Sequence, residues 1–158
     1  MNLRFVSIFL LYILVTTWNS GLIAQTLDSS LIDQYITLAN QYLENNKFEK
    51  SRKYSLKVLD IDSTYGEAYL LIGGAYVNSA DSCADNDFMK HMIYCLAVDK
   101  FQKAKELDNS LTDKVDRLID VYSRYFPQEE AFYGHVTEGQ KYKINCWINE
   151  ETTVRFAD

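Results

Sequence analysis

One proline in 158 residues, Pro127, divides this chain into two kinds of pattern. Proline lacks a backbone donor and its ring blocks the preceding turn, so a helix cannot continue past Phe126. Ahead of it, apolar residues recur at intervals of three and four. Behind it, they alternate with polar ones. The first period is that of a helix and the second that of a strand. A single Pro and 6 Gly also favour long regular elements over a loop-rich fold. The sequence therefore predicts a mainly α domain followed by a small β appendage over residues 127–158.

The helical part reads as a series of pairs. Leu31, Tyr35, Leu38, Ala39 and Tyr42 mark the inner face of a first helix, with Ser30 and Asp33 as a capping pair and Asn45–Asn46 as its end. Phe48, Ser51, Tyr54 or Ser55, Val58 and Leu59 mark a second, capped by Asn46 and closed by Asp62. Thr64 and Glu67 open a third, with Tyr69, Ile72, Gly73 and Tyr76 on one face. A mid-helix Gly costs about 1 kcal/mol relative to Ala, so Gly73 implies a neighbour close enough to exclude a Cβ. The fourth helix carries Ala97, Phe101, Ala104 and Leu107 and extends back to about Asp87. Asp81 to Asp87 reads as a polar loop before it, so the fourth helix would outrun its partner. Ser110 and Asp113 open a last helix over 111–125, striped by Leu111, Val115, Leu118, Ile119 and Tyr122.

Laid over each other, the pairs repeat. In the first, Ala39 and Tyr42 are followed by Phe48, Ser51, Val58 and a closing Asp62; in the second, Gly73 and Tyr76 are followed by Ala97, Phe101, Ala104 and a closing Asp108. This resembles the tetratricopeptide repeat (TPR) family, whose unit is a helix–turn–helix of about 34 residues. The resemblance covers Leu31 to Asp108 and implies two TPR-like units, about 31–64 and 66–109, with the 111–125 helix as a cap, in an α–α superhelix. The usual Pro after the second helix is absent: Ser63 and Asn109 stand there. The second unit is also longer. Tyr76 and Ala97 are 21 residues apart and Tyr42 and Ser51 are 9 apart, an excess of 12.

Past Pro127, Tyr142, Ile144, Cys146 and Ile148 alternate with Lys141, Lys143, Asn145 and Trp147. Glu138-Gly139 reads as a turn from an earlier strand over 131–137, and Asn149–Glu151 as a turn into a last strand over 152–156. A two- or three-stranded antiparallel sheet fits. A hairpin this small is barely stable alone, so it is predicted to dock on the helices. Tyr69 to Arg155 is also similar to a group of exported bacterial TPR-type proteins. Tyr122, Tyr125, Phe126, Pro127, Gly139, Trp147, Ile148, Val154 and Arg155 carry that likeness. It implies export and brings no assigned chemistry.

Residues 1–24 belong to another class. Arg4 precedes an apolar run from Phe5 to Val15, Thr16 to Gly21 turns polar and small, and Ala24 precedes Gln25. This is a signal-peptide pattern, with cleavage expected after Ala24 and an uncleaved anchor as the alternative. The run is short of the roughly 20 residues a membrane span needs, so no span is expected after cleavage. The mature chain is expected to be periplasmic or secreted. The net charge of −6 argues against nucleic acid or an anionic membrane as a partner.

Export permits disulfides. Cys83, Cys95 and Cys146 allow three pairings. Cys83–Cys146 would staple the appendage to the second unit and is the preferred pair. Cys83–Cys95 would close only the insertion, and Cys95 reads as a buried free thiol. No two Cys have zinc-finger spacing, and His91 and His135 are isolated, which speaks against zinc. Asp81, Asp85 and Asp87 lack the Gly and terminal Glu of a calcium loop and read as helix-capping surface. No motif points to a cofactor or a catalytic residue. Most Tyr fall on inner faces. Tyr65, Tyr133 and Trp147 do not, and form the candidate partner-binding surface, with Trp147 opposite to Ile144 and Ile148 in the alternation. Covering the helix end is its other role. The reading is a non-catalytic exported interaction or scaffold module with a protein or peptide partner. Two units fall short of the usual three, so the cap and sheet, or a homodimer, would complete the core. A carbohydrate- or envelope-binding accessory protein using exposed aromatics is the second reading, and an unrecognised enzyme the third.

Overall fold

The computed structural model describes residues 27–132 and 135–157, so the signal segment and Tyr133 lie outside the described residues. The chain divides into two compact units, residues 1–34 and 35–158. Residues 27–34 of the smaller unit are helical. The larger unit holds the end of α1, a helix over 27–44. It continues through α2 (Phe48–Ile61), α3 (Gly66–Cys83), α4 (Asp87–Leu107), a 3-10 turn (Asn109–Leu111) and α5 (Thr112–Ser123). A single turn, α6 (Glu129–Phe132), and two short strands, β1 (Lys141–Lys143) and β2 (Glu151–Thr153), complete it. The fold is mainly helical with a small antiparallel two-stranded sheet, as the sequence predicts.

Small residues set the helix pairs close together. In α1 and α2, Ala39, Ser51, Ser55 and Val58 are buried to the last atom. Lys50 lies over the Tyr42 ring and Lys57 over the Tyr35 ring, so the two helices run antiparallel. In α3 and α4 the glycines do this work. A Cβ on Gly66 would come 2.9 Å from the Ala104 carbonyl, and one on Gly73 would come 2.5 Å from Cε1 of Phe101. These two contacts fix an antiparallel pair and account for the cost of Gly in a helix. α5 then packs on α4 through Val115, with Leu118, Ile119 and Tyr122 at the margin of the core.

The helix starts differ from the capping pairs expected. Residues 27–30 are already helical, so Ser30 does not open α1. Asp62 accepts from both N and Oγ1 of Thr64, ahead of α3, whose N-cap is Tyr65. Asp108 accepts from Ser110 N in the same way, and Asn86 caps α4 by accepting from Met89 N. The Asp side chains reach two residues forward and form the turn itself. Asn46, at φ 56°, takes the left-handed position between α1 and α2.

The insertion also differs. Asp81 to Cys83 is helical, and only Ala84–Asn86 separates α3 from α4. The excess residues lengthen both helices, so α4 does not outrun its partner. The Ser79 and Ser82 hydroxyls donate to carbonyls three residues back, which hides their polarity inside the helix. Ala80 and Cys83 continue its buried face.

In the appendage none of the described residues of the strand expected over 131–137 is extended in a sheet. Its start is the turn of α6, which places Phe132 against Phe88 at 4.8 Å. β1 pairs with β2 in the register Tyr142↔Thr152. Gly139, at φ 81°, donates to Val154 O and so extends the pairing. Residues 144–150 leave the strand and loop back, closed by Ile144 N to Glu150 O at 2.9 Å. Ile144, Ile148 and Val154 are fully buried in one core with Met92, Cys95 and Phe101.

Gly73→Ala is therefore expected to destabilise. Propensity favours Ala by roughly 1 kcal/mol, but forcing a methyl into the buried Phe101 ring costs about 1–3 kcal/mol. Gly74, where the nearest foreign atom is Leu43 Cδ2 at 3.3 Å, is the control. Urea unfolding should show a lower midpoint for Gly73→Ala and an unchanged or higher one for Gly74→Ala.

Candidate functional site

The appendage meets the helices through a ring of charged and polar side chains. Glu150 sits in the loop before β2 and reaches three helices at once. Its Oε1 accepts from Arg52 Nη2 of α2 at 2.6 Å and from the Tyr76 hydroxyl of α3, and its Oε2 pairs with Lys100 Nζ of α4 at 2.6 Å. Arg52 Nη1 also donates to the Trp147 carbonyl at 3.3 Å. Asp99, the residue before Lys100 in α4, accepts from Thr152 Oγ1 at 2.7 Å and pairs with Arg155 at 2.8 Å. Arg155 donates in turn to the Cys95 carbonyl and lies over the Phe126 ring. Arg52, Tyr76, Asp99 and Lys100 are displayed by regular helices, while their partners all lie between Trp147 and Arg155.

Burial pushes every titratable group of this cluster up, and their partners decide the net direction. For Glu150, burial pushes the carboxyl up. Hydrogen bonds from Lys100 and Tyr76, and attraction to Lys100 and Arg52, outweigh it and hold the group below its usual range. Glu150 is therefore an ionised acceptor with its donors in place. Tyr76 is pushed far up by burial and by the adjacent Glu150 carboxylate. Burial raises the Cys95 thiol to about 11, which makes it a poor nucleophile at neutral pH. A general acid or base needs a pKa near the working pH and an open path to substrate, and these groups have neither.

Cys83, at the end of α3, is bonded to Cys146, with Cα atoms 5.7 Å apart, and Cys95 is free and buried. Trp147 is not the outward platform that alternation suggests. It is half-buried, edge-on to Tyr76 at 5.8 Å and under the Arg52 guanidinium. The loop 144–150 has left strand geometry, so alternation no longer sets its direction. Tyr65 is half-buried at the start of α3, in a hollow with Asp62, Thr64 and Leu111 that Trp147 does not share. His91 donates from Nδ1 to the Tyr125 carbonyl at 2.7 Å, and His135 is exposed. Among the described residues, no group of three His, Cys, Asp or Glu could hold a metal. No helix among them is long and apolar enough to cross a membrane.

The remaining face of Trp147 walls an open cleft of about 640 Å³ along α2. Glu49, Lys50, Arg52, Lys53, Leu56, Lys57 and Asp60 line it, and Leu56 is 40% exposed. A second cleft, of about 540 Å³, lies between α4, α5 and the chain end, with Gln102, Arg124, Phe126 and Arg155 in its walls. Sequence reasoning missed the Glu150 cluster altogether. Its members are 98 and 74 residues apart in the chain, and no local pattern joins them. No family model, curated protein or solved structure matches the chain.

Two outcomes follow for stability. Glu150→Gln leaves Arg52 and Lys100 without their anion. Breaking a fully buried pair costs 3–5 kcal/mol, and with these side chains 20–25% exposed the expected loss is about 2–3 kcal/mol. Because the native carboxyl lies below its ordinary 4.5, its stabilisation is full above that pH and disappears as pH falls through the native value. Acid titration of unfolding should thus be steeper for the wild type than for Glu150→Gln. Separately, the Cys83–Cys146 bridge spans 63 residues, for which chain entropy gives roughly 4 kcal/mol. Reduction should lower the urea midpoint accordingly, and native protein should leave Cys95 unlabelled by maleimide until it unfolds.

Proposed function

We propose that this chain is a non-catalytic, exported interaction module of TPR-like architecture, working in the bacterial cell envelope as a scaffold for a protein partner. The observation that supports it best is the cleft between α2 and Trp147. It is wide, open to solvent and walled by a rigid helix on one side and a stapled loop on the other. Rigid walls lower the entropy lost when a partner docks. The charged groups beneath it are bonded to each other and hold the fold, which leaves the open surface for recognition. The repeat-like pairing of α1 with α2 and of α3 with α4, and the disulfide, also fit an exported helical module. The flat aromatic platform that a sugar-binding reading requires at Trp147 is replaced by an edge contact with Tyr76.

A photoreactive residue in place of Leu56 tests this, in the full chain and an envelope extract. A second probe replaces Val121, also exposed but on α5. Discrete protein adducts are expected at the first position and not at the second. No adduct at Leu56, or the same adducts at both, would rule out a specific partner at the cleft.

A further inference from the structure

The cleft along α2 carries the opposite charge to the molecule as a whole. The chain has 22 acidic and 16 basic residues. Between Glu49 and Asp60, however, α2 has Lys50, Arg52, Lys53 and Lys57 and no acidic residue. These four divide into two sets. Arg52 turns inward and is neutralised by Glu150. Lys50, Lys53 and Lys57 line the cleft and have no carboxylate at ion-pair distance among the described residues. Spacings of three and four place all three along one side of the helix, about 10 Å from first to last.

Two of the ammonium groups are also held in place. Lys50 Nζ lies 5.5 Å from the Tyr42 ring centre, and Lys57 Nζ lies 4.9 Å from that of Tyr35 and 5.1 Å from that of Tyr54. A ring face orients a cation without neutralising it, so positive charge remains to be met from outside. Beside this row are exposed carbon surfaces, Leu56 and the free side of Trp147.

We infer that this cleft is the docking site for an acidic segment of a partner protein, in which an apolar side chain lies between carboxylates. The carboxylates meet Lys50, Lys53 and Lys57, and the apolar side chain packs on Leu56 and Trp147. Glu49 and Asp60 bound the row at either end and repel a longer anion that would overrun it. The carbon surface favours a peptide over an anionic polysaccharide, whose hydroxyl-rich rings gain little from Leu56. This inference rests on the reading of the chain as an interaction module and names the chemistry of its partner.

The test is fluorescence anisotropy of a labelled decapeptide, Glu and Asp around a central Leu-Phe pair, titrated with the full chain. Saturable binding is expected, with a dissociation constant on the order of 10–100 µM for a cleft of this size. Lys53→Glu should weaken it about tenfold or more, and raising salt from about 50 to about 300 mM should weaken it further. Lys53 is exposed and makes no ion pair among the described residues, so thermal unfolding should be unchanged. Lys114→Glu, on α5, makes the same change in net charge and should leave binding within about twofold of the wild type. Equal loss in both variants would reduce the effect to net charge and overturn the proposal. So would the absence of saturation at millimolar protein, or binding of polygalacturonate without binding of the peptide. If the Leu56 probe captures proteins while the acidic peptide fails to bind, the module reading stands and the acidic partner falls.

Discussion

The Glu150 carboxylate is the point on which the two halves of this fold depend. The appendage has two strands of three residues each, far below what a sheet needs to stand alone. Its shape comes from what it docks against. Ile144, Ile148 and Val154 supply apolar burial, which is strong but does not specify direction. Glu150 supplies direction, because one carboxylate must reach Arg52, Tyr76 and Lys100 on three different helices. Meeting all three at once restricts where the loop can sit. Withdrawing that charge from water is costly, and the cost is met by two largely covered cations and the buried Tyr76 hydroxyl. Asp99 repeats the arrangement with the signs exchanged, holding Thr152 and Arg155 of the appendage from the helix side.

The disulfide and the carboxylate then act on the same short loop from its two ends. Cys146 is bonded to the end of α3, and Glu150 is clamped four residues later. Trp147 lies between them, so its ring is positioned by covalent and ionic restraints on either side. That is why a residue from an irregular loop can form a fixed wall. The same surroundings set the protonation of the groups nearby. Glu150 is ionised and fully engaged, Tyr76 is held protonated by its burial, and Cys95 is a thiol with a raised pKa.

The sequence shows the helical half well and the appendage poorly, for physical reasons. Periodicity reports which side of an element is buried, so α4 is legible from Asp87 to Leu107 and Gly73 announces the approach of Phe101. It reports burial without reporting the backbone path. Ile144 and Ile148 alternate with Trp147 as strand residues would, yet all three stand in a loop, and Trp147 turns toward Tyr76. Asp81 and Ser82 look like loop because they are polar, and the back-bonding of the serines that makes helix tolerable there is invisible by composition. The Glu150 cluster joins residues from four elements, and no spacing rule connects them. Only the oddity of Arg52 beside the buried Ser51 and Ser55 of α2 could have pointed to an anion there.

That oddity explains the character of α2. A helix in an acidic chain acquires a cation on its inner face because the docking loop brings an anion to it. Nothing in that requirement calls for cations on the outer face. Lys50, Lys53 and Lys57 contribute little to the core, and an exposed ammonium above a Tyr ring adds about 0.5–1 kcal/mol at most. Replacing them with Glu or Gln would preserve helix propensity and would suit the net charge of the chain. The stability of the fold accounts for Arg52 and leaves the outer row to solvent, where the proposed acidic partner would meet it.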